Sequence, residues 1–236
     1  MMKRQIVKIW TDVLNLFYPN LCLLCETALV EGEQQVCARC LCGLSYTGFS
    51  DLSDNPVAHL LIDKERLVLA TGYLRFEQGG GVRRLIHALK YYGNKKLGYV
   101  LGRYAARELL HTDPSFGEAD VLLPVPLHPR KYRKRGYNQS EWIARGMASV
   151  LQIPVCTTAV RRDIMTESQT GKIGYSRWEN VAAVFSVSDP DRLKGKYVLL
   201  VDDVITTGAT AGACIDALSS VEGIKISFFT LAVALQ

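Results

Sequence analysis

One short segment constrains the fold of this chain more than any other. Residues 198–210 read VLLVDDVITTGAT: an apolar run, two acids and a loop rich in threonine. A run as short and as apolar as its first four residues is typical of a strand buried on both faces of a parallel sheet. Ligands of open parallel sheets bind beyond the carboxyl ends of the strands. We therefore expect the functional residues to follow Val201.

The two acids that follow this strand, Asp202 and Asp203, cannot both be core residues. A buried charge is stable only when it is paired or hydrogen-bonded, so they must be solvated, paired with a cation or bound to a ligand. The two hydroxyl groups of a ribose are suitable donors to such carboxylates.

The loop after the acids combines three features that a phosphate group requires. A glycine permits close backbone approach, threonine hydroxyls donate hydrogen bonds, and the start of the following helix offers unpaired N–H groups. An ordinary helix capped by its threonine is the simpler alternative, but capping alone explains neither the acid pair nor the threonine run. The predicted phosphate-binding residues are Thr206, Thr207, Gly208, Ala209 and Thr210.

The rest of the sequence alternates strand-like apolar runs with amphipathic helical patterns. This alternation predicts an α/β fold with a central parallel sheet flanked by helices. The predicted strands are 66–76, 121–127, 197–201 and 224–233, and the predicted helices cover 82–89, 97–105, 143–151 and 210–218.

The segment 198–210 resembles the phosphoribosyl pyrophosphate (PRPP) motif of type I phosphoribosyltransferases, with its strand, two acids and T-T-G-x-T loop. The resemblance implies a type I phosphoribosyltransferase fold. It also implies that Asp202 and Asp203 hold the 2′ and 3′ hydroxyls of the ribose, while 206–210 bind the 5′-phosphate. Purine-salvage members carry an aspartate where this chain has Thr206, so a hypoxanthine or guanine substrate is not expected.

A second run, LLPVPLHPRKYRKRGYNQ at 122–139, resembles a narrower family, the ComF-type proteins tied to DNA uptake in naturally competent bacteria. The resemblance covers nearly the whole chain. Further matches follow in the order of that family: Thr166 with Gln169, Arg177 with Asn180, and then VAAVF at 181–185.

This resemblance implies roles for the region before the acids. Residues 124–126 would contact pyrophosphate, and 131–139 would form a mobile flap over the site. Departing pyrophosphate must be neutralised by cations, usually including Mg²⁺, so Mg²⁺ is expected with PRPP. The candidate pyrophosphate and flap residues are Lys90, Pro126, His128, Arg133 and Arg135.

Five of the six residues from Arg130 to Arg135 are basic. A solvated loop or a nonspecific nucleic-acid patch is the alternative interpretation of this run. Tyr132 and Tyr137 lie among the charges and could stack on bases.

Two Cys-x2-Cys pairs near the N-terminus, Cys22 with Cys25 and Cys37 with Cys40, could supply four thiolates to one metal ion. We predict a zinc ribbon with a structural Zn²⁺, because a segment of little apolar content needs a metal to fold. Redox pairs and an iron–sulfur cluster remain as alternatives. Cys42 could replace Cys40 as a ligand.

The predicted domain organisation has an N-terminal helix and cysteine module at 1–50, a linker at 51–65 and a phosphoribosyltransferase-like domain at 66–236. Apolar residues at helical spacing between Ile6 and Phe17 indicate the helix. We recognise neither a signal peptide nor a run of about 20 apolar residues that could span a membrane, and expect a cytoplasmic protein.

Two functional hypotheses follow. The first is a PRPP-binding phosphoribosyltransferase-like protein associated with DNA uptake that transfers ribose 5-phosphate to an acceptor the sequence does not identify. The second is a non-catalytic factor that senses PRPP and binds single-stranded DNA, alongside DNA-uptake proteins. Neither the catalytic residue nor the oligomeric state follows from the sequence.

Overall fold

A computed structural model of the chain describes residues 19–163 and 184–234. The predicted N-terminal helix and the motif residues between Thr166 and Asn180 lie outside these ranges. The chain divides into two compact units, one ending at Leu44 and the other beginning at Ser45. The predicted domain boundaries at residues 50 and 65 stay a prediction.

The first unit is built mostly from turns. Two isolated antiparallel bridges, Leu21 with Ala28 and Gln34 with Val36, stand beside one short helix, α1 (Ala38–Cys42). The side chain of Cys37 caps α1 by accepting a hydrogen bond from the backbone N–H of Cys40.

The described part of the second unit contains a four-stranded parallel sheet with the order β1-β6-β5-β2. Val155 forms one more parallel bridge, to Leu122 of β2. A separate antiparallel pair consists of β3 and β4. The sequence correctly predicted the parallel sheet. The strands are β1 (Leu67–Arg75), β2 (Val121–Pro124), β3 (Val160–Arg162), β4 (Phe185–Val187), β5 (Tyr197–Ile205) and β6 (Lys225–Val233).

Helices connect the parallel strands, as a parallel sheet requires. Asn94 and Asn138 cap two of them through side-chain oxygens that accept backbone N–H bonds. The helices are α2 (Pro56–Leu60), α3 (Gly81–Tyr91), α4 (Lys95–Thr112), α5 (Pro129–Arg135), α6 (Gln139–Leu151) and α7 (Ala209–Ser219), with a 3₁₀ turn at Pro114–Glu118. None of the helices in the described ranges is long and apolar enough to cross a membrane.

Both faces of the sheet are covered. Leu200 and Phe228 pack into one cluster with Ile215 of α7 and Leu61 beside α2. The alternate strand residues, such as Phe229, are buried as well, and α6 lies against β5 and β2. Burial on both faces explains why these strands read as continuous apolar runs.

Helices α4 and α6 touch through their backbones. A Cβ atom at Gly102 would overlap the carbonyl oxygen of Ile143, and a Cβ at Gly146 would overlap that of Tyr99. The two glycines therefore allow a close approach that no other residue permits.

The structure differs from the sequence prediction in three segments next to the site. The segment 51–65, predicted as a linker, is folded, since it contains α2, and both Val57 and Leu61 are buried in the core. Strand β5, predicted to end at Val201, continues to Ile205 because its residues pair with β6 up to Val233. The predicted strand at 121–127 is shorter than expected and ends at Pro124.

Candidate functional site

The acid pair, Asp202 and Asp203, lies within β5 and not beyond it as predicted; Asp202 stands opposite Thr230 of β6. The side chain of Asp202 is buried, and its Oδ1 accepts hydrogen bonds from the Ser140 hydroxyl at 3.0 Å and the backbone N–H of Asp203 at 2.8 Å. Asp203 is paired instead with Lys90, whose Nζ lies 3.2 Å from Oδ2. The two acids therefore have different partners: one has hydrogen-bond donors and the other a cation.

The environment of Asp202 favours its neutral form. Burial, and then the charge of Asp203, raise the pKa of Asp202 to about 7, although the bonds from Ser140 and Asp203 and the nearby Lys90 act in the opposite direction. Cys214 of α7 lies close by, and burial followed by the Asp202 carboxylate raises the pKa of its thiol. Near neutral pH both the protonated and the ionised form of Asp202 are therefore populated.

The threonine loop, residues 206–208, joins β5 to the N-terminus of α7. Thr206 and Thr207 are exposed, and Gly208 begins the helix in the left-handed conformation with φ of 75°. No side chain caps α7. Thr210 lies inside its first turn, so the alternative of a helix capped by Thr210 is wrong. The first N–H groups of α7 are thus open to a ligand.

Gly208 is required for a second reason, its packing against α2. A Cβ atom there would lie 3.1 Å from the carbonyl oxygen of Leu60, in addition to the strain of a positive φ. About two turns further along α7, Asp216 forms an ion pair of 2.6 Å with Lys64. The segment predicted as a linker therefore sets the position of the loop.

The basic run that was predicted as a mobile flap is helical. His128 caps α5 by accepting the Arg130 N–H on Nδ1 at 3.1 Å, and Gly136 ends the helix with φ of 76°. Burial, and then Arg130 and other cations, lower the pKa of His128, which favours the neutral ring that this cap needs. Residues 131–139 are therefore the end of α5, a short connection and the start of α6, and their role as a mobile flap stays a prediction.

The other predicted pyrophosphate residues are distributed around this helix. Arg133 is exposed and Pro126 is partly buried. Arg135 donates from Nη1 to Gln139 Oε1 at 2.9 Å and lies over the ring of Tyr91, 5.7 Å from its centroid. Arg133 is thus open to a ligand, while Arg135 is partly engaged by protein.

One of the two tyrosines predicted to stack on bases cannot do so. Tyr137 is buried and its hydroxyl donates to the carbonyl oxygen of Leu89. Tyr132 remains exposed, and the structure adds Tyr91 and Tyr92, both exposed and both in contact with the ring of His87.

Sequence reasoning missed Arg162 of β3. This side chain is half-buried and lies over the ring of Phe185, 5.2 Å from its centroid. Burial lowers the pKa of Arg162, and the Asp202 carboxylate acts in the opposite direction. Arg162 also lowers the pKa of Lys131, after burial itself. The surrounding sequence, VRRD, carries no signal for this placement, because only the pairing of β3 with β4 brings Arg162 to the acid pair.

The four predicted metal ligands come together in the first unit. The sulfur atoms of Cys22, Cys25, Cys37 and Cys40 all lie within 4.8 Å of one another. The Cys25 and Cys37 sulfurs are 3.7 Å apart, close to the ~3.8 Å edge of a tetrahedron with Zn–S bonds of about 2.3 Å. Cys42 is exposed and is not part of this cluster.

The surroundings of the thiols also fit a metal ion. Backbone N–H groups of Leu24 and Cys37 both point at Cys22 Sγ from 3.4 Å, the kind of bond that stabilises a metal-bound thiolate. The neighbouring Thr27 hydroxyl and backbone lower the pKa of Cys25 to about 6. These four thiols could therefore hold a metal ion.

Comparison with known proteins gives one domain family and several similar proteins. Residues 138–235 match the phosphoribosyl transferase domain family. The DNA utilization protein YhgH of Escherichia coli (strain K12) is 29% identical over 206 residues, which cover 81% of this chain and 87% of that protein. Competence protein F of Haemophilus influenzae is 35% identical over 92 residues, 39% of this chain and 40% of that protein. The chain therefore contains a phosphoribosyl transferase domain and is similar to DNA utilization and competence proteins.

Among solved structures, this chain is similar to glutamine PRPP amidotransferase from B. subtilis, at 20% identity and a TM-score of 0.41 over 61% of this chain and 30% of that one. A score this low supports no conclusion by itself. The domain match is more informative about the site, because it includes Ser140, the acid pair and Gly208.

Proposed function

We propose that this chain is a ComF-type protein and that it binds PRPP at the acid pair and the threonine loop. The observation that supports this most directly is the unbroken unit of β5, loop and α7, which puts two carboxylates beside an uncapped helix N-terminus. Asp202 and Asp203 accept bonds from the 2′ and 3′ hydroxyls of the ribose. The backbone and hydroxyls of 206–210 bind the 5′-phosphate.

The cations around the acid pair bind the pyrophosphate group of PRPP. Lys90 lies on Asp203, and Arg162 and Lys131 lie close enough to change pKa values in the site. Arg133 and Arg135 of α5 add charge at the surface, with His128 and Pro126 at the start of that helix. An acid of the pair would help to hold Mg²⁺, which would supply further neutralising charge.

Transfer of ribose 5-phosphate to an acceptor is the reaction that such a site supports. The bond between C1 of the ribose and pyrophosphate breaks, a bond from C1 to the acceptor forms, and pyrophosphate leaves with its electron pair. Carboxylates stabilise the positive charge that develops on the ribose, and the cations stabilise the leaving group.

The four thiols of the first unit bind a structural Zn²⁺. Cysteine pairs that bind a metal are typical of proteins in reducing compartments, which supports a cytoplasmic location.

Thermal unfolding with PRPP and Mg²⁺ tests the binding proposal, because a ligand that binds only the folded state raises Tm. We expect PRPP to raise Tm of the wild type and to have at least tenfold weaker affinity for Asp203→Asn. Asp191→Asn is the matched control, since Asp191 is an exposed acid before β5. Absence of a Tm shift in the wild type, or an equal shift in Asp203→Asn, would contradict the proposal.

A second candidate function, binding of single-stranded DNA, has support from a specific surface. The stacking surface, defined as His87, Tyr91, Tyr92 and Tyr132, lies beside the cations of α5. Bases stack on exposed aromatic rings while cations contact the phosphates. The names of the relatives, which refer to DNA utilization and competence, point to the same partner and to DNA-uptake proteins.

Oligonucleotide binding at two salt concentrations tests this second function. Tyr92→Ala should weaken binding about fivefold to a hundredfold, and Arg133→Gln should reduce the salt dependence. Tyr104→Ala, on the outer part of α4, is the control. Binding that is unchanged in Tyr92→Ala and Arg133→Gln would rule this surface out.

A further inference from the structure

A second cleft lies against β1 at the edge of the sheet. Its volume is about 560 Å³, within the range of about 300–1,000 Å³ that is usual for small-molecule sites. Strands β1 and β6 form its floor, the second half of α4 forms one wall, and residues 46–52 form the other. None of the residues assigned above to the acid pair, the threonine loop or the basic helix lines it.

The cleft has aromatic walls. Tyr46, Phe49, Tyr73 and Phe229 all line it, and the rings of Tyr46 and Tyr73 meet edge to face with centroids 5.2 Å apart. Flat ligands bind well between such rings, because aromatic groups attract each other in stacked and edge-to-face arrangements. The walls therefore favour a ligand with an aromatic ring.

Thr71 lines the cleft, and its hydroxyl forms no hydrogen bond in the described part of the fold. Thr71 is 3% exposed. Thr47, in the same cleft, differs: its hydroxyl donates to the carbonyl oxygen of Gly72 at 2.5 Å. Buried polar side chains are normally hydrogen-bonded, so the Thr71 hydroxyl is available to a ligand.

The charge of the cleft excludes anions. Among the described residues that line it, Glu108 is the one charged side chain, and none is lysine, arginine or histidine. An adjoining groove, which shares Ser50 and Thr112 with the cleft, adds Asp51 and Asp113. Phosphates and carboxylates would be repelled here, whereas amino groups would find acceptors.

The rim also contains a hydrogen-bond donor. Burial, and then Tyr46 and Glu108, raise the pKa of Tyr73, so its hydroxyl keeps its proton near the Glu108 carboxylate. A ligand amino group could bind Glu108 while a ligand oxygen or ring nitrogen accepts from Tyr73.

We propose that this cleft binds an unphosphorylated molecule of about nucleoside size that carries both an aromatic ring and an amino group. Its ring lies between the aromatic walls, its amino group bonds to Glu108, and the Thr71 hydroxyl fixes its inner end. The cleft is thus the chemical opposite of the acid-pair site, whose cations and helix N-terminus suit phosphates. This inference does not rest on the binding of PRPP.

The acid-pair site and the cleft share strand β6 as a wall. Asp202, Thr230 and Gly72 stand opposite one another in adjacent strands. Strands are spaced by about 4.8 Å, so the backbones of Asp202 and Gly72 are roughly 10 Å apart. An experiment must therefore distinguish binding at one site from binding at the other.

Isothermal titration of the full chain with adenosine, cytidine and tyramine tests the proposal, with AMP as the phosphorylated counterpart of adenosine. We expect at least one of the three amines to bind, and AMP to bind this cleft at least tenfold more weakly than adenosine. Thr71→Val, which keeps the shape of the side chain, and Glu108→Gln, an exposed substitution, should each weaken amine binding at least fivefold.

Asp203→Asn separates the two sites and should leave amine binding unchanged. Glu108→Gln keeps the test decisive if Thr71→Val does not fold, since Glu108 is on the surface of α4. The proposal is wrong if none of the three amines binds. It is also wrong if amine binding is lost in Asp203→Asn and kept in Glu108→Gln, because the amine would then occupy the acid-pair site.

Discussion

The two units of this chain are stabilised by different means. In the described part of the first unit, the buried apolar residues other than cysteines are Leu24, Val36 and Leu44. The second unit buries large side chains such as Phe116 and Phe228 on both faces of its sheet. A core as small as the first cannot offset the conformational entropy of its own residues. We therefore expect the first unit to depend on metal–thiolate bonds at its four clustered cysteines and the second on apolar packing, so that each unit loses its structure for a different reason.

The largest effect is expected from removing a metal ligand. Cys37→Ser should unfold the first unit, because metal binding supplies about 10 kcal/mol or more of the folding free energy of such small domains. A chelator should do the same to the wild type. The NMR signals of residues 19–44 report the loss, and those of the sheet should remain.

Cys42→Ser is the control for this experiment, since Cys42 is exposed and outside the cluster. It should leave the bound metal, measured by elemental analysis, at the wild-type ratio. Loss of metal in Cys42→Ser with retention in Cys40→Ser would show that the ligand set is different.

The second unit should be most sensitive at its close helix contact. Gly146→Val places side-chain atoms against the backbone of Tyr99 and should lower the free energy of unfolding by about 3 kcal/mol or more. Urea denaturation followed by far-UV circular dichroism measures this. Ser149→Ala, an exposed change on the same helix, should stay within about 0.5 kcal/mol. Metal content should be normal in both variants, and equal stability of the two would mean that α4 and α6 do not touch in this way.

A smaller effect, of opposite sign, is expected at the acid pair. The folded-state pKa of Asp202 is raised to about 7, which means that the folded protein prefers the protonated side chain. The stability that this side chain contributes is fully present below the unfolded pKa of about 3.9 and is lost as the pH rises through 7. Asp202→Asn should therefore be more stable than the wild type at pH 8, by roughly 1–4 kcal/mol.

The advantage of Asp202→Asn should shrink as the pH falls from 7 to 5, in urea denaturation at each pH. An advantage that does not vary with pH would show that the carboxylate is ionised throughout this range. Asp202→Asn should also abolish the stabilisation by PRPP. A variant that is more stable but no longer binds PRPP would show that Asp202 lowers the stability of the free protein in order to bind its ligand.

The smallest effect concerns the ion pair between Lys64 and Asp216, which lies at the surface of the second unit. Lys64→Gln should cost no more than about 1 kcal/mol, and less at high salt, because solvent screens such pairs. Urea midpoints at two salt concentrations would show this. A loss of more than about 2 kcal/mol in the free energy of unfolding would indicate that Lys64 stabilises the contact between α2 and the threonine loop by packing as well as by charge.

Local patterns account for what the sequence predicted correctly. The spacing of four cysteines and the apolar character of β5 are properties of neighbouring residues, and both led to the right structure. The length of β5 is not local: Asp202 and Val204 belong to the strand because Thr230 and Ala232 of β6 pair with them.

The placement of single side chains depended still more on tertiary structure. Tyr137 resembled an exposed ring among charges, but its hydroxyl bonds to Leu89, which is 48 residues away. Arg162 lay in a polar stretch with no helical or strand signal, and α2 lay in a segment that resembled a linker. Each of these residues is defined by what packs against it, which sequence periodicity does not record.

The order of strands in the sheet has a consequence for how the protein is made. Strand β6 lies between β1 and β5, so β1 has no parallel strand to pair with until residues 225–233 have left the ribosome. About 150 residues must be synthesised in the meantime, and contacts this distant in sequence form slowly. Until then the edges of β1 and β5 stay open, and open strand edges invite pairing with other chains. The nascent chain should therefore depend on chaperones until the middle of its sheet is complete.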